Sequence, residues 1–481
     1  MNEAWPEVAA WLTDQADQVI ETSCAEVYLA GERAWKIKRP VDLGYLDFST
    51  LGKRVWAIRR ELELNRRFCS DIYRSVRRVT READGRLTLD GAGETVEWLL
   101  EMRRFDPAAV LARQPEAVDG PLAEKIGRLM ARLHVNAPQA LENDLGAWGY
   151  TVESNVEPLR AACPPLDARA VERLIEATRA GCEVLTPLLE LRRRDGFFRQ
   201  CHGDLHLGNL LLENGKPVPF DCIEFSEVLG RMDIAYDVAF PLMDLVRLGR
   251  LDAASRLLNA WLDEAARRFP PSLWDGLAAL PQLLCVRACV RAHVTAAQGD
   301  DEVARAYLAA AETFLTPPPV KLTAIGGRSG TGKTWRAARL AAETPPGAVV
   351  LRTDLVRKRL WNVRPLERLP AAAYVPEQDE KVHAELFAIA GRALTGGWPV
   401  IIDAVFLDPA RRAQAEAVAT RCGVPFEGVW LEAPPEVLRA RVAARSGDAS
   451  DADLAVLERQ LARDAGPVTW RVQSLQSEGG T

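Results

Sequence analysis

The sequence lacks the features that would place it in a membrane, a secretory pathway or a disulfide-rich class. Its first 21 residues have neither a basic start nor a continuous apolar stretch, and no later window approaches the roughly 20 apolar residues that a membrane helix requires. The 9 cysteines show no CxxC spacing, so we expect neither disulfides nor a zinc site. Repeats and low-complexity tracts are also absent. These absences favour a cytoplasmic globular protein.

The chain is long enough for more than one hydrophobic core. It has 481 residues, of which 48% are hydrophobic and 27% charged, an ordinary globular composition. Acidic residues exceed basic ones before residue 320, and basic residues slightly exceed acidic ones after it. This asymmetry would suit a cationic acceptor in the first part and an anionic acceptor in the second, although many inert surfaces carry such charges.

A short proline-rich segment marks the predicted domain boundary. Pro317, Pro318 and Pro319 follow a helical pattern over residues 301–314 and precede an apolar strand pattern over 320–325. Consecutive prolines favour a stiff extended backbone. We therefore predict a first domain at 1–315, a linker at 316–319 and a second domain at 320–481.

The first domain begins with strand patterns and continues with helical ones. A hairpin is predicted over 26–30 and 33–38, a helix over 51–68 and a strand over 96–102. Long helices are predicted over 121–135 and 167–192. This order is typical of a two-lobed kinase.

The stretch HGDLHLGN at residues 202–209 carries the first chemical pattern. Asp204 and Asn209 have the spacing with which kinase catalytic loops supply a base and a metal ligand. The Asn-Gly pair at 214–215 predicts a hairpin that returns Asp221 to this loop. Asn209 and Asp221 are then candidate Mg²⁺ ligands, and Asp204 is the candidate base for an acceptor hydroxyl. His202 and His206 are interpreted as loop-bracing residues.

Candidates for nucleotide binding lie on the preceding strands and helix. Lys36 and Lys38 share one face of a strand, and either could reach the phosphates. Glu61 or Glu63 could pair with the lysine. We prefer Lys36 with Glu61, and Lys38 has the alternative interpretation of a solvated neighbour. Met102 and its neighbours, after residues 96–100 of that strand, are predicted to form the interlobe connection that holds adenine.

These residues resemble the aminoglycoside phosphotransferase family over about residues 20–315. The family pattern HGDLHxGN with a downstream aspartate is matched by 202–209 and Asp221, and Lys36, Glu61 and the segment 233–237 follow in the expected order. The resemblance implies that 233–237 packs beneath the active site. Two positions depart from the pattern: Glu224 replaces the usual aspartate after the metal ligand, and the tripeptide that is usually GDP-like reads RMD at 231–233.

The second chemical pattern is GRSGTGKT, which satisfies GxxxxGK[ST] between a predicted strand and a helix. Backbone amides of such a Walker A loop wrap the β-phosphate, the lysine reaches the β- and γ-oxygens, and the hydroxyl residue binds Mg²⁺. An apolar strand ending in Asp403 is the expected Walker B element and supplies a second metal ligand. The candidate nucleotide-binding residues of the loop are Gly327, Ser329, Gly330, Thr331, Gly332, Lys333 and Thr334.

Another predicted strand, beginning at residue 349, leads into Asp354 and Arg357. The arrangement resembles P-loop kinases related to polynucleotide kinase and zeta toxin, which implies that Asp354 is the base and Arg357 a substrate anchor. The same resemblance implies a lid that closes over the phosphate with Arg441 and Arg445. Arg439 competes for that role. Arg357 and the lid arginines have the alternative interpretation of surface charges.

The sequence thus predicts an α+β protein-kinase-like two-lobed domain followed by an α/β P-loop domain with a parallel sheet. Together the two patterns match a bacterial family that fuses an aminoglycoside-phosphotransferase-like domain to a P-loop ATPase or kinase domain. We expect a phosphotransferase with two sites for ATP, or another NTP, and Mg²⁺, acting on hydroxyl groups of a small molecule rather than a nucleic acid. The alternatives are a nucleotide-gated binding protein with a pseudokinase domain, and a polynucleotide 5′-hydroxyl kinase activity in the second domain.

Overall fold

The computed structural model describes residues 4–42, 46–140, 145–316 and 318–474. The α-helices are α1 (Trp5–Thr13), α2 (Leu51–Cys69), α3 (Gly120–Asn136), α4 (Leu145–Ser154), α5 (Val156–Ala161), α6 (Ala168–Arg194), α7 (Glu227–Gly230), α8 (Ile234–Arg247), α9 (Leu251–Ala265), α10 (Leu280–Ala297), α11 (Asp301–Phe314), α12 (Lys333–Ala342), α13 (Thr353–Leu360), α14 (Pro376–Thr395), α15 (Pro409–Cys422), α16 (Pro435–Ala444) and α17 (Leu454–Ala462). The strands are β1 (Gln18–Glu21), β2 (Ala25–Ala30), β3 (Arg33–Lys38), β4 (Tyr73–Arg81), β5 (Leu87–Leu89), β6 (Glu94–Arg103), β7 (Phe198–Gln200), β8 (Leu210–Glu213), β9 (Lys216–Pro219), β10 (Arg231–Asp233), β11 (Leu322–Gly326), β12 (Val349–Arg352), β13 (Val400–Asp403), β14 (Phe426–Glu432) and β15 (Arg471–Ser474).

The chain divides into two compact units that do not coincide with the predicted domains. One unit comprises residues 1–117 and 200–232, and the other comprises 118–199 and 233–481. Helix α11 ends at Phe314 and strand β11 begins at Leu322, on either side of the predicted linker. Within that linker Pro317 lies outside the described residues, as do the chain ends 1–3 and 475–481 of the two predicted domains.

The first unit is built on a six-stranded antiparallel sheet with the order β1-β2-β3-β6-β4-β5. The predicted hairpin is confirmed, with Val27 opposite Lys36 and a turn at Gly31, whose φ of 55° is the left-handed conformation that glycine adopts without a steric penalty. Apolar clusters pack on the two faces of this sheet. This packing holds the strands, and therefore the charged residues on them, in fixed positions.

Helix α2 brings a polar face to the sheet. Thr50 caps its first turn by accepting a hydrogen bond from the Lys53 backbone amide. Arg54, Glu61 and Asn65 are fully buried on its inner face. Arg54 forms an ion pair with Glu97 of β6 at 2.7 Å, so buried charge is paired here.

The segment 200–232 folds back on itself as the Asn-Gly pair predicted. Asn214 and Gly215 have φ values of 51° and 70°, which suit a two-residue hairpin turn, and β8 pairs with β9. The Phe220 backbone amide then donates to the Asn209 carbonyl oxygen at 3.1 Å. This hydrogen bond brings the residue after it, Asp221, beside the loop that contains Asn209.

The second unit combines a helical layer with a parallel sheet. The sheet has the order β12-β13-β11-β14-β15, and all its strand pairs are parallel. Ile325 and Arg352 both lie opposite Asp403, so the carboxyl ends of three strands meet at one level. In open parallel sheets this edge is where ligands bind.

The helical layer is held by buried polar pairs as well as apolar packing. Arg192 pairs with Asp233 at 2.6 Å, and the His134 ring lies 3.0 Å from Asp237. Trp261 donates from its indole to the other ring nitrogen of His134 at 3.1 Å. Both ring nitrogens of His134 therefore have partners, as in a structural histidine.

One stretch is more apolar than the sequence analysis expected. Residues 271–297 are long and apolar enough to cross a membrane, with a mean hydropathy of 1.3. Most of this stretch is buried among the other helices, with 78% of its most apolar window inside the protein. Such burial is typical of the central helix of a globular core.

Candidate active sites

The first candidate site centres on Lys36 of β3. Its Nζ lies 2.8 Å from Glu61 Oε1 and 2.8 Å from Asp221 Oδ1. Burial alone would lower the pKa of Lys36, but the charges of Asp221 and Glu61 outweigh it and raise the pKa above its usual range. The lysine therefore stays protonated, as a phosphate-binding group must.

Lys38 is part of the same charge network, so the interpretation of a solvated neighbour is wrong. Its Nζ lies 2.7 Å from Glu61 Oε2 and 2.5 Å from Glu224 Oε1, and its side chain is only 1% exposed. The two lysines thus take one oxygen each of the Glu61 carboxylate. Glu224, which departs from the family pattern, is engaged by Lys38. Glu63 instead pairs with Arg60 and is 68% exposed.

The predicted catalytic loop is held by its own side chains. Asn209 Nδ2 donates to the carbonyl oxygen and to Oδ2 of Asp204, at 2.8 and 3.0 Å. The ring of His202 lies 2.9 Å from the Phe220 carbonyl oxygen, and that of His206 accepts from the Gly208 amide at 2.9 Å. Both histidines brace the loop, and the Asp204 carboxylate stays 37% exposed, within reach of a substrate.

Asp221 is placed by contacts that the motif did not reveal. The Tyr73 hydroxyl accepts from its backbone amide at 3.0 Å, and its φ of 59° is a left-handed conformation that a non-glycine residue rarely adopts. Burial would raise the pKa of Asp221, but the charge and hydrogen bond of Lys36 outweigh it and lower the pKa. The Asp221 carboxylate is therefore ionised, with 43% of its side chain exposed.

Asn65 is a second contact that sequence reasoning missed. Its Oδ1 accepts from the Cys222 amide at 3.0 Å, and its Nδ2 donates to the Glu61 carbonyl oxygen at 3.0 Å. Its spacing of four residues from Glu61 on one helix face is the signal that could have found it.

Met102 lies inside β6, as the strand predicted over 96–102 requires, and not in a connection that follows residue 100. Strand β6 continues to Arg103 because Arg103 still pairs with Arg33 of the hairpin. The Met102 side chain is 8% exposed and packs in the apolar cluster that includes Leu29 and Ala34.

The second candidate site is the glycine-rich loop between β11 and α12. Gly327, Gly330 and Gly332 have φ values of 139°, 86° and 88°, which only glycine adopts readily. A Cβ on Gly327 would lie 2.5 Å from the Leu431 carbonyl oxygen, so the loop also needs glycine for space. Lys333 Nζ donates to the Arg328 carbonyl oxygen at 3.0 Å. Thr331 Oγ1 donates to that same carbonyl oxygen at 2.8 Å.

Two oxygen ligands converge beside this loop. Thr334 Oγ1 donates to Asp403 Oδ2 at 2.7 Å, across the carboxyl ends of β11 and β13. Arg352 lies 3.5 Å from the same Asp403 oxygen and 2.7 Å from Asp448. The sequence analysis identified Thr334 and Asp403, but Asp448 belongs to no motif and was missed. Ser329, at the start of the loop, donates its amide to the Gln460 side chain at 2.8 Å.

Asp354 and Lys333 interact electrostatically in this site. Burial raises the pKa of Asp354, against the lowering effects of Arg352, Lys333 and a hydrogen bond from Ser450. Burial lowers the pKa of Lys333, although Asp403 and Asp354 oppose the shift. A carboxylate with a raised pKa is a better proton acceptor than an ordinary one, which is what a general base requires.

The predicted arginines behave differently from one another. Arg357 is buried, donates to the Ala373 carbonyl oxygen at 2.8 Å and pairs with Asp379 at 2.6 Å, so it is not a surface charge. Arg441 donates to the Gly330 carbonyl oxygen at 3.3 Å, and Arg445 donates to the Ala452 carbonyl oxygen. Arg439 pairs instead with Glu458 on an exposed surface.

Residues of the second candidate site line a cavity of about 1500 Å³. Its wall includes Lys333, Thr334, Asp354, Asp403, Arg441 and Arg445. The phosphate loop, the two oxygen ligands and the candidate base therefore face one space, large enough for a nucleotide and a small acceptor.

Comparison with known proteins agrees with the two types of fold described above. Residues 78–280 match a phosphotransferase enzyme family, and residues 322–467 match an AAA domain family. The uncharacterized protein Rv2004c of Mycobacterium tuberculosis (strain H37Rv) is 31% identical over 468 residues, covering 93% of this chain and 90% of the relative. The uncharacterized protein Mb2027c of Mycobacterium bovis matches with the same values. The chain belongs to the family of these mycobacterial proteins. This chain joins an aminoglycoside-phosphotransferase-type domain to a P-loop domain, and it is an ATP-dependent phosphotransferase.

Several solved kinase structures are also similar to parts of this chain. Choline kinase from Cryptosporidium parvum is 10% identical and covers 65% of this chain and 94% of its own, with a TM-score of 0.41. Ethanolamine kinase from Plasmodium vivax is 12% identical and covers 66% and 86%, with a TM-score of 0.39. An unliganded sugar kinase from Janibacter sp. is 22% identical and covers 33% and 85%, with a TM-score of 0.25.

Proposed function

We propose that this chain transfers the γ-phosphoryl group of ATP, or another NTP, to hydroxyl groups at two separate centres. The main support is that the side chains expected to bind phosphate and Mg²⁺ lie within hydrogen-bonding distance of one another at each centre. Lys36 contacts Glu61 and Asp221 at 2.8 Å in one set, and Thr334 contacts Asp403 at 2.7 Å beside Lys333 in the other. We assign the centres to domains 1–315 and 320–481 of a cytoplasmic protein.

In the first centre we assign the catalytic base to Asp204. The carboxylate, partly exposed and held by Asn209, accepts the proton of the acceptor hydroxyl. Lys36, fixed by Glu61, binds the phosphates. Asn209 and Asp221 are the hard oxygen donors that suit Mg²⁺, and the ionised state of Asp221 supports this fit. Bound Mg²⁺ would neutralise the charge of the phosphates.

In the second centre we assign the base to Asp354. The P-loop amides and Lys333 hold the triphosphate, with Thr334 and Asp403 as oxygen donors that fit Mg²⁺. The cavity position of Arg441 and Arg445 supports their assignment to the lid. Arg357 is committed to Asp379 and Ala373, so its contacts favour a role in shaping the cavity over direct anchoring of a substrate.

The acceptors are proposed to be small hydroxyl compounds. The second cavity has a volume of about 1500 Å³, which suits a nucleotide together with a small acceptor. Phosphorylated products are identified by mass spectrometry after incubation of metabolite pools with ATP. An oligonucleotide with a 5′-hydroxyl group is a separate arm of the assay, and its phosphorylation would favour the polynucleotide kinase alternative.

Two single-site variants separate the centres. Asp204→Ala removes the proposed base of the first centre, and Lys333→Ala removes the phosphate-binding lysine of the second. Each is expected to abolish one set of products and leave the other, with a loss of at least about 100-fold. The exposed Glu63→Ala, on the same helix as Glu61, is the matched control. ATP-dependent binding without any phosphorylated product would favour a nucleotide-gated binding protein.

A further inference from the structure

One wall of the second cavity is formed by helices from before the proline-rich segment. Arg128 of α3, Asp263 of α9 and Trp274 line the same cavity as Asp354. Arg359 of α13 projects toward them: its Nη1 lies 3.5 Å from Asp263 Oδ1, and its guanidinium lies 6.0 Å from the Trp274 ring. These groups have no part in the phosphate chemistry described above.

The wall has more positive charge than its nearest carboxylate balances. Arg128 lies 3.3 Å from Asp263 Oδ2, so two guanidinium groups share one carboxylate. Both distances exceed the 2.7–2.9 Å typical of a strong charge-assisted hydrogen bond. Glu124 reaches Arg128 only at 3.8 Å. The more remote Glu385 and Arg267, which also act on Arg359, oppose each other in sign.

One hydrogen-bond donor of Arg359, its Nη2 nitrogen, has no acceptor among the described residues. The Arg359 side chain is only 8% exposed. A buried guanidinium nitrogen without an acceptor is costly, and a bound acceptor group would relieve that cost. The planar guanidinium best matches a carboxylate or a phosphate.

We propose that Arg359, assisted by Arg128, binds an anionic group of the acceptor whose hydroxyl group faces Asp354. Asp354 and Arg359 lie five residues apart on α13, and both line the second cavity, so one acceptor bound there has access to the base and to the guanidinium group. The acceptor class is therefore a small polyhydroxy acid or sugar phosphate. The proposal rests on the proposed function of the second centre.

The transfer balances with this acceptor. The hydroxyl proton passes to Asp354, the hydroxyl oxygen bonds to the γ-phosphorus, and the bond from that phosphorus to the β–γ bridging oxygen breaks. The products are ADP and a phosphate ester that keeps its anionic group on Arg359.

Calorimetric titration of the full-length protein tests the anion subsite. A non-hydrolysable ATP analogue first fills the nucleotide sites, and D-gluconate, D-glucose 6-phosphate and D-glucose then serve as carboxylate, phosphate and neutral probes. We expect at least one anionic probe to bind at least about tenfold more tightly than glucose. The gluconate and glucose 6-phosphate arms distinguish a carboxylate from a phosphate. Equal or absent binding of all three would overturn the proposal.

Two variants with opposite expected effects on anion binding test whether Arg359 binds the acceptor or only forms a structural ion pair. Arg359→Gln is expected to weaken anionic probes about tenfold, whereas Arg364→Gln, at a side chain that is 88% exposed, changes nothing. Asp263→Asn removes the competing carboxylate and should tighten anionic probes severalfold. A purely structural pair would give weaker binding in both variants, and that result would contradict the proposal. Analogue binding is measured separately, and its dependence on Lys333 tests the second centre itself.

Discussion

The two lysines of β3 show how one buried carboxylate can organise a site. Glu61 offers one oxygen to Lys36 and the other to Lys38, and each lysine then reaches a second acid. Lys36 reaches Asp221, at the phosphate-handling loop, whereas Lys38 reaches Glu224. Lys38 is thus placed to fix Glu61, which in turn fixes Lys36.

Removing Lys38 should therefore destabilise the protein. Lys38→Met keeps the length of the side chain but leaves Glu61 and Glu224 buried with less positive charge. We expect the free energy of unfolding, measured with urea, to fall by about 3 kcal/mol. Lys53→Met, which breaks an exposed pair with Asp47, should lower the free energy of unfolding much less. Equal effects of the two substitutions would show that the buried network contributes nothing special.

The pH dependence of the second centre should depend on the hydrogen bond from Ser450 to Asp354. This bond lowers the pKa of Asp354, while burial, the larger effect, raises it. A base works when ionised, so activity falls as the pH drops through its pKa. Ser450→Ala should raise that pKa further and move the acid limb of kcat/KM to higher pH by up to about 1 unit. Ser474→Ala, at an exposed position in β15, should leave the profile unchanged. A shift toward lower pH would contradict the assignment of Asp354.

At the scale of elements, strand β12 depends on a helix outside its sheet. β12 is an edge strand, and the Asn259 side chain of α9 occupies its free edge: it donates to the Ala348 carbonyl oxygen at 3.0 Å and accepts from the Val350 amide at 2.7 Å. The strand leads directly to Arg352 and Asp354. An unpaired edge is also a site for unwanted strand association.

Asn259→Ala should therefore weaken the second centre. The Val350 amide of β12 and the carbonyl oxygen of Ala348, the residue before the strand, lose their partners, which we expect to cost about 1–3 kcal/mol of stability. The rate at the second centre should fall because Asp354 is less firmly placed, with the products of the first centre unaffected. Asn136→Ala, at an exposed position at the end of α3, is the matched control. Unchanged thermal unfolding and unchanged second-centre kinetics in Asn259→Ala would exclude this role.

The regular elements and the loop motifs were predictable because they depend on local patterns. Helix 301–314 was predicted with its observed bounds, and the Asn-Gly turn at 214–215 forms the expected hairpin. Tyr73, Asn65 and Asp448 escaped prediction because each acts through a contact between elements distant in sequence. Lys38 was misjudged for the same reason, since its partner Glu224 lies far along the chain.

At the scale of the whole molecule, the second compact unit crosses the proline-rich segment. Helices at 118–199 and 233–314 group with the P-loop sheet, and side chains on both sides of the segment make specific contacts. Arg392 pairs with Asp275 at 2.7 Å, and Arg267 donates to the Val363 carbonyl oxygen at 3.0 Å. The local sequence indicated a linker at this point, but long-range packing determines the structural unit.

A fragment of residues 320–481 should therefore be less stable than the same segment in the full chain. It would lose the Asn259 contacts at the edge of β12 and the partner of Arg359, and it would expose apolar surface now covered by helices. We expect it to unfold at a temperature several degrees lower and to aggregate more readily, since exposed strand edges promote association. Thermal unfolding of the fragment and the full chain, each with an ATP analogue, gives the comparison. A fragment that stays monomeric, binds the analogue equally well and unfolds at the same temperature would show that the helical layer is dispensable for the P-loop fold.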